Sequence, residues 1–409
     1  MSRKTPAISR HSYFHTLLEA LRQPGCALCA LAARTCWRYL DSIAYESVND
    51  LGLRARLRHS LGFCNRHAWF FVETVREIFG AAIIYRDVLH SVLHRAGRAT
   101  HAAGASAFDP TGPCIACAIE RESTDLAIDT LTEAIAEADV RAALAASEGF
   151  CAPHLLRALA VARSAARRPL AASTIAAWEA GQDDPRRRRW HAAGLAGAFG
   201  PDDAALAGPP AEAVPASDGA SPATSSDPFT CPICAVVQVD LGQFAASSEL
   251  DDGNSGICNV HAWLGGGPAS VAIYRRQLDV ARAQAAVLVE ATEASLLAQA
   301  VRGLRRARPK PDGIAPPLRC AICARQAALE KSLAASDAAP LCLPHLRRAI
   351  AARGIAAIAP VRPTWRQLDQ LLGEFIRKED YRFRREPRGL EQHSPRWNIA
   401  LIAGTPGIR

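Results

Sequence analysis

The sequence predicts a mainly α-helical protein of two homologous domains. Three observations lead there: apolar residues recur at three- and four-residue spacing, strand-like alternation is scarce, and paired CxxC and CxxH motifs repeat along the chain. Helical periodicity is clearest from Ala27 to Tyr45 and from Ile115 to Ala138, where Ile119, Leu126, Ile128, Leu131 and Ile135 fall on a shared pattern. The 409 residues are 49% hydrophobic and 22% charged, enough to bury a sizeable core and to make a disordered chain a poor description. The repeat assigns 1–200 to a first two-site helical domain and 231–409 to a second. Between them, 201–230 holds six prolines and, as larger apolar residues, only Leu206, Val214 and Phe229, the composition of a flexible linker.

Thirteen cysteines in a chain whose first 25 residues carry Arg and His where a signal peptide has an apolar stretch point to metal or redox chemistry before disulfides. Cytoplasmic residence is therefore expected, and no apolar run is long enough to cross a membrane. Twelve of the cysteines fall into four sets, each closed by a histidine. These are Cys26, Cys29, Cys64 and His67; Cys114, Cys117, Cys151 and His154; Cys231, Cys234, Cys258 and His261; and Cys320, Cys323, Cys342 and His345. In chain order each CxxC precedes a CxxH by 34, 33, 23 and 18 residues, suited to two metal-clipped helical hairpins per domain, trimmed in the second. Spacing leaves open whether a CxxC shares its ion with the CxxH that follows or exchanges with a neighbour.

Flanking residues show that the sets were duplicated in pairs. GFCNRHAWF around Cys64 matches GICNVHAWL around Cys258, and CAPHLLRA at Cys151 matches CLPHLRRA at Cys342. IYR recurs at Ile84–Arg86 and Ile273–Arg275, and RWHAAGLAGAFG from Arg189 aligns without gaps to RWNIALIAGTPG from Arg396. Gly62, Gly149 and Gly256, each two residues before a CxxH cysteine, mark turns between helices.

Three thiolates and an imidazole complete a tetrahedron and leave no position for substrate or water, the set of structural zinc, with four ions per chain. Sulfur ligation also suits iron–sulfur clusters, and the alternative reading is an electron-transfer protein carrying up to four of them. Haem attachment does not fit, because each CxxC is followed by alanine. Cys36, the thirteenth cysteine, reads as a small buried thiol. His11 with His15 and His90 with His94 lack the glutamate of HExxH and read as ordinary histidines, and Trp69 and Trp263 as packing over the metal sites. No phosphate loop, GxSxG elbow or paired acidic motif appears, so a binding role is favoured over catalysis, although the motifs do not decide whether the chain is an enzyme.

The net charge of +8 and the Arg186–Arg189 run give only a mild basic bias, which leaves nucleic-acid binding as a third reading and not the favoured one. A protein partner is expected instead. The candidate surface is the segment EFIRKEDYRFRREPRGLEQHSPRW from Glu374, with Arg377, Asp380, Tyr381 and Arg382 at its centre, because arginine and aromatic side chains together suit recognition. The expected function is a zinc-stabilised helical scaffold or adaptor.

These motifs resemble an uncharacterised prokaryotic family, domain of unknown function 6062. The resemblance rests on YLDSIAYESVNDLGLRARLRHSLGFCNRHAW from Tyr39, on the order of knuckles, and on the tail segment FIRKEDYRFRREP. It implies that the eight Cys/His positions of each half belong together, and it implies no activity. The chain departs from the family pattern in being doubled, in its shorter second-half hairpins and in a degenerate first-half tail.

Overall fold

The computed structural model describes residues 10–99, 104–181, 228–258, 261, 268–291 and 318–406. Among them are fifteen α-helices and no strand, as the periodicity predicts; one isolated parallel bridge joins Gly256 to Cys320. No helix among the described residues is long and apolar enough to cross a membrane. Trp263, the Arg186–Arg189 run, the first copy of the RW…G tail and nearly all of the expected linker lie outside the described residues.

The metal motifs decide where helices begin. α1 spans Arg10–Leu21 and α2 Ala27–Ser42, directly after Cys26. Likewise α6 (Ile115–Ala134) follows Cys114, α10 (Pro232–Ala246) follows Cys231 and α12 (Ala321–Leu333) follows Cys320. The carbonyls of Cys26, Cys114 and Cys231 accept the N–H of Ala30, Ala118 and Ala235, so each first cysteine sits at the edge of the first helical turn. The CxxH cysteines do the same job at α4 (Asn65–Glu73), α8 (Ala152–Val161) and α13 (Leu343–Arg353). Cys64, Cys151 and Cys342 are extended residues at the cap position, and their histidines lie within the first turn. Pro153 and Pro344 start α8 and α13, where a missing N–H costs nothing.

Two of the three marked glycines make the turns expected of them. Gly62 and Gly149 have φ of +86° and +77°, and Leu61 before Gly62 is also left-handed, ending α3 (Leu51–Ser60). Gly256 acts differently. Its N–H donates to Arg319 at 2.7 Å, its carbonyl accepts from Ala321 at 3.0 Å, and a Cβ there would lie 2.8 Å from the Leu318 side chain. Close backbone approach to the next CxxC, not a left-handed turn, requires glycine at this position.

The chain forms two compact units that cut across the expected domains 1–200 and 231–409. One comprises Met1–Arg34, Arg121–Pro209 and Phe244–Cys323; the other comprises Thr35–Glu120, Pro210–Gln243 and Ala324–Arg409. The physical reason is helix packing. In the first unit α7 (Ala138–Ala146), α8 and α9 (Ser164–Gly181) come from the first half. The helix that packs on α8 and α9 is α11 (Pro268–Glu290), from the second. α11 adds a stripe of Leu278, Ala281, Ala285 and Leu288 to a core otherwise built from first-half residues such as Leu17, Leu131, Leu155 and Trp178. In the second unit α5 (Ile78–Arg98), from the first half, packs against α14 (Arg362–Glu379) and α15 (Ser394–Ala403), from the second. α14 buries Trp365, Leu368, Leu372 and Phe375 at matching helical spacing.

Candidate metal centres

The four tetrads form within halves, but no CxxC shares a site with the CxxH that directly follows it. Cys26 and Cys29 meet Cys151 and His154, while Cys64 and His67 meet Cys114 and Cys117. The second half repeats this with Cys231, Cys234, Cys342 and His345, and with Cys258, His261, Cys320 and Cys323. The pairing is thus nested. The first CxxC of each half closes with the last CxxH around an inner pair, which corrects the hairpin-by-hairpin grouping in chain order.

Every tetrad has the same local geometry. The ligand atoms of each lie within 4.8 Å of one another. Sγ to Sγ separations are 3.7 Å for Cys29 and Cys151, and 3.6 Å for Cys64 with Cys117, Cys234 with Cys342 and Cys258 with Cys323. The histidine always presents Nδ1, at 3.2–3.5 Å from its cysteines in the His154 tetrad and 3.1–3.4 Å in the His345 tetrad. All thirteen cysteines are free thiols, so disulfides do not compete for these sulfurs. Each of the four sites is therefore able to hold a metal ion.

Electrostatics favour a cation at each centre. The helices α2, α4, α6, α8, α10, α12 and α13 all begin at ligand cysteines, and helix N-termini stabilise thiolate. Hydrogen bonds from neighbouring thiols hold Cys114, Cys231 and Cys258 far below the usual thiol range: from Cys117 and Cys64, from Cys234 and Cys342, and from Cys320 and Cys323 respectively. Burial works against a charged imidazole at His261 and His345. Hydrogen bonds with Cys258 and Cys320, and with Cys231 and Cys234, outweigh it and push the two up to about 9 and about 11. A metal ion meets that concentrated negative charge and displaces the protons.

The sites differ in exposure and in what stands behind the histidine. The nested outer tetrads have buried cysteines throughout, whereas the cysteines of the inner tetrads are half-buried. His67 turns Nε2 to Glu120 Oε1 at 3.0 Å, and Arg66 pairs with the same carboxylate. His345 turns Nε2 to Glu330 Oε1 at 3.2 Å, and Glu330 is held in turn by Gln326 at 2.9 Å and Arg348 at 2.6 Å. Such carboxylate–histidine pairs fix the ring and raise its basicity as a ligand. Among the described residues, His261 Nε2 is buried without a hydrogen-bond partner. The motif reading missed both glutamates. Glu120 lies three residues after Cys117, a ligand of the same tetrad as His67, and helical spacing marks it, whereas Glu330 follows Cys323 on a helix that ligates the other tetrad and no spacing marks it as the partner of His345.

Other singled-out residues fall as follows. Cys36 is 1% exposed, as expected of a buried thiol, and its sulfur lies within 4.8 Å of His67 and Glu120. His15, His90 and His94 are exposed, and His90 pairs with Asp369 at 2.7 Å. Trp69, two residues after His67, donates from Nε1 to the carbonyl of Gly404 at 2.9 Å. Asn65, between the ligands Cys64 and His67, donates to Ala403, Gly404 and Thr405. The first turn of α4 thus grips the backbone of 403–405.

No family model matches the chain, and no solved structure matches it. It is similar to an uncharacterised 23.9 kDa protein in the 3′ region of xynA from Caldicellulosiruptor sp. strain Rt8B.4, at 37% identity over 78 residues. That match covers 19% of this chain and 37% of the relative, and the relative's name assigns no activity.

The nested pairing predicts a pattern of metal loss. Cys26→Ser and Cys151→Ser remove ligands of one ion, so the single variants and the double variant should each lose one ion of four. Cys26→Ser with Cys64→Ser should lose two. Native mass spectrometry of metal-loaded protein counts the ions; one ion lost from the second pair and two from the first would restore consecutive pairing.

Proposed function

We propose that this protein is a zinc-stabilised helical scaffold or adaptor that binds a protein partner and carries out no chemistry of its own. The observation that carries the reading is the closed donor set, three sulfurs and one Nδ1 at each centre with no open position. A tetrahedral zinc with bonds of about 2.3 Å to sulfur and about 2.0–2.1 Å to nitrogen spaces its sulfurs about 3.8 Å apart and its sulfur–nitrogen pairs about 3.5 Å apart. The separations of 3.6–3.7 Å and 3.1–3.6 Å match a single ion of that kind. An iron–sulfur cluster spreads its thiolates over several irons and needs a wider cradle. When bound, zinc supplies folding free energy and no redox step. The quoted motifs support membership of the family of domain of unknown function 6062, and free thiols suit a reducing cytoplasm.

The partner surface we propose is the turn after α14. Tyr381 is 82% exposed. Its neighbours are pinned within the segment: Arg382 pairs with Asp380 at 2.7 Å, and Arg377 with Glu374 at 2.7 Å and with Glu386. Arg377 also lies 4.5 Å above the Phe383 ring. These pairs are exposed and contribute little stability, while they hold the guanidinium groups in fixed positions around an exposed aromatic ring.

Protein purified without chelator should contain close to four zinc per chain by elemental analysis; iron with visible absorbance, or two ions or fewer, contradicts the metal assignment. Tyr381→Ala with Arg382→Ala should leave the melting temperature within about 2 °C, since surface changes of this kind shift stability by about 0.5 kcal/mol or less. The same variant should lose proteins captured from the native cell by the parent. Lowered melting with capture retained would make the segment structural.

A further inference from the structure

The two halves interlock reciprocally. In the first unit the second half's α11 closes a core made by the first half. In the second unit the first half's α5 is closed by the second half's α14 and α15. α5 and α11 are the corresponding helices of the duplication, marked by IYR at 84–86 and 273–275, and α9 and α14 each follow the last CxxH helix of their half. The same helix pairing therefore occurs twice with the halves exchanged, the arrangement of a self-complementary interface.

Metal does not make these joins, because every tetrad takes its four ligands from one half. Side chains and backbone do. Asp369 of the second half accepts from Arg86 at 2.9 Å and pairs with His90 at 2.7 Å, and Gly373 of the same helix would bring a Cβ to 2.9 Å from Arg86. Asn65 and Trp69 hold the backbone of 403–405. In the other unit the buried Arg167 donates to the carbonyls of Ala162 and Ala291, the second of these from the second half. Each half places its outer tetrad in one unit and its inner tetrad in the other, so neither half owns a complete core.

We infer that the chain is a fused dimer: the surface each half presents is built for a second copy of the same repeat, and the halves complete one another without help from the peptide that links them. Helix burial of this extent is the main favourable term in association, and the tether only raises the effective concentration of one half for the other. The inference does not depend on which ion fills the tetrads or on the proposed partner surface.

The test uses the full chain with a site-specific protease sequence inserted between Ala220 and Ser221. After complete cleavage the two fragments should elute together in native buffer at the size of the uncut 43.7 kDa chain and separate only in denaturant. The melting temperature should become concentration-dependent in the cut protein and stay independent of concentration in the uncut one. Asp369→Arg, which sets a cation against Arg86 and His90, should raise the concentration at which cut halves part by tenfold or more. Fragments that separate at micromolar concentration while keeping helical signal and metal would overturn the inference. If the inserted site resists cleavage, the two fragments are expressed together with a tag on the first: recovery in equal amounts supports the inference, and a folded monomeric first fragment overturns it.

Discussion

The whole arrangement depends on one electrostatic constraint: three sulfurs and an imidazole held within 4.8 Å of each other at the starts of helices. Thiolates at that distance repel one another, and a buried tetrad with the charge unanswered would be costly. Helix N-termini offset part of the repulsion, and a cation held in the tetrad would answer the rest. Because the ligand cysteines are also the residues at which helices begin, closing a tetrad fixes two helix starts at once. The nested order then ties residue 26 to residue 154 and residue 231 to residue 345, so each ion of the outer pair closes a loop of more than a hundred residues. Long loops carry the larger closure entropy, which makes the outer sites the stronger constraint on the unfolded chain. They are also the buried ones.

Much of this was legible in the sequence, and what escaped has physical reasons. Ligand identity follows from motif spacing alone, since two donors three residues apart reach one ion from a single turn. The helical class follows from periodicity, and Gly62 and Gly149 make the turns their positions imply. Nested closure was not legible, because CxxC and CxxH carry no mark of which distant motif they meet. Gly256 shows a related limit: glycine signals either a left-handed turn or close backbone approach, and only the fold distinguishes them. Glu120 lay within reach of a helical count from Cys117; Glu330 did not, because the nearest cysteine, Cys323, belongs to a different tetrad from His345. The exchange of helices between halves was not, because Leu278, Ala281, Ala285 and Leu288 would look the same whichever half covered them.

The two halves differ in what stands behind their histidines. The carboxylate behind His67 comes from Glu120, three residues after Cys117, and the matching position after Cys323 is Gln326, which supports Glu330 instead. Both glutamate-backed histidines belong to the second compact unit, the unit that also carries the exposed Tyr381. The hydrogen bonds from Asn65 and Trp69 to 403–405 place the helix that carries His67 directly against the segment that follows α15. Metal binding, closure of the core and presentation of the charged turn are thus built on one set of helices.

The central claim is the nested closure of each half, and cadmium substitution reads it most directly. In protein loaded with cadmium-113, each metal resonance correlates through its bonds with the β-protons of its cysteines and the ring protons of its histidine. Nested closure predicts one resonance joined to Cys26, Cys29, Cys151 and His154 and another to Cys64, His67, Cys114 and Cys117. A resonance that joins Cys26 and Cys29 to Cys64 and His67 would contradict it.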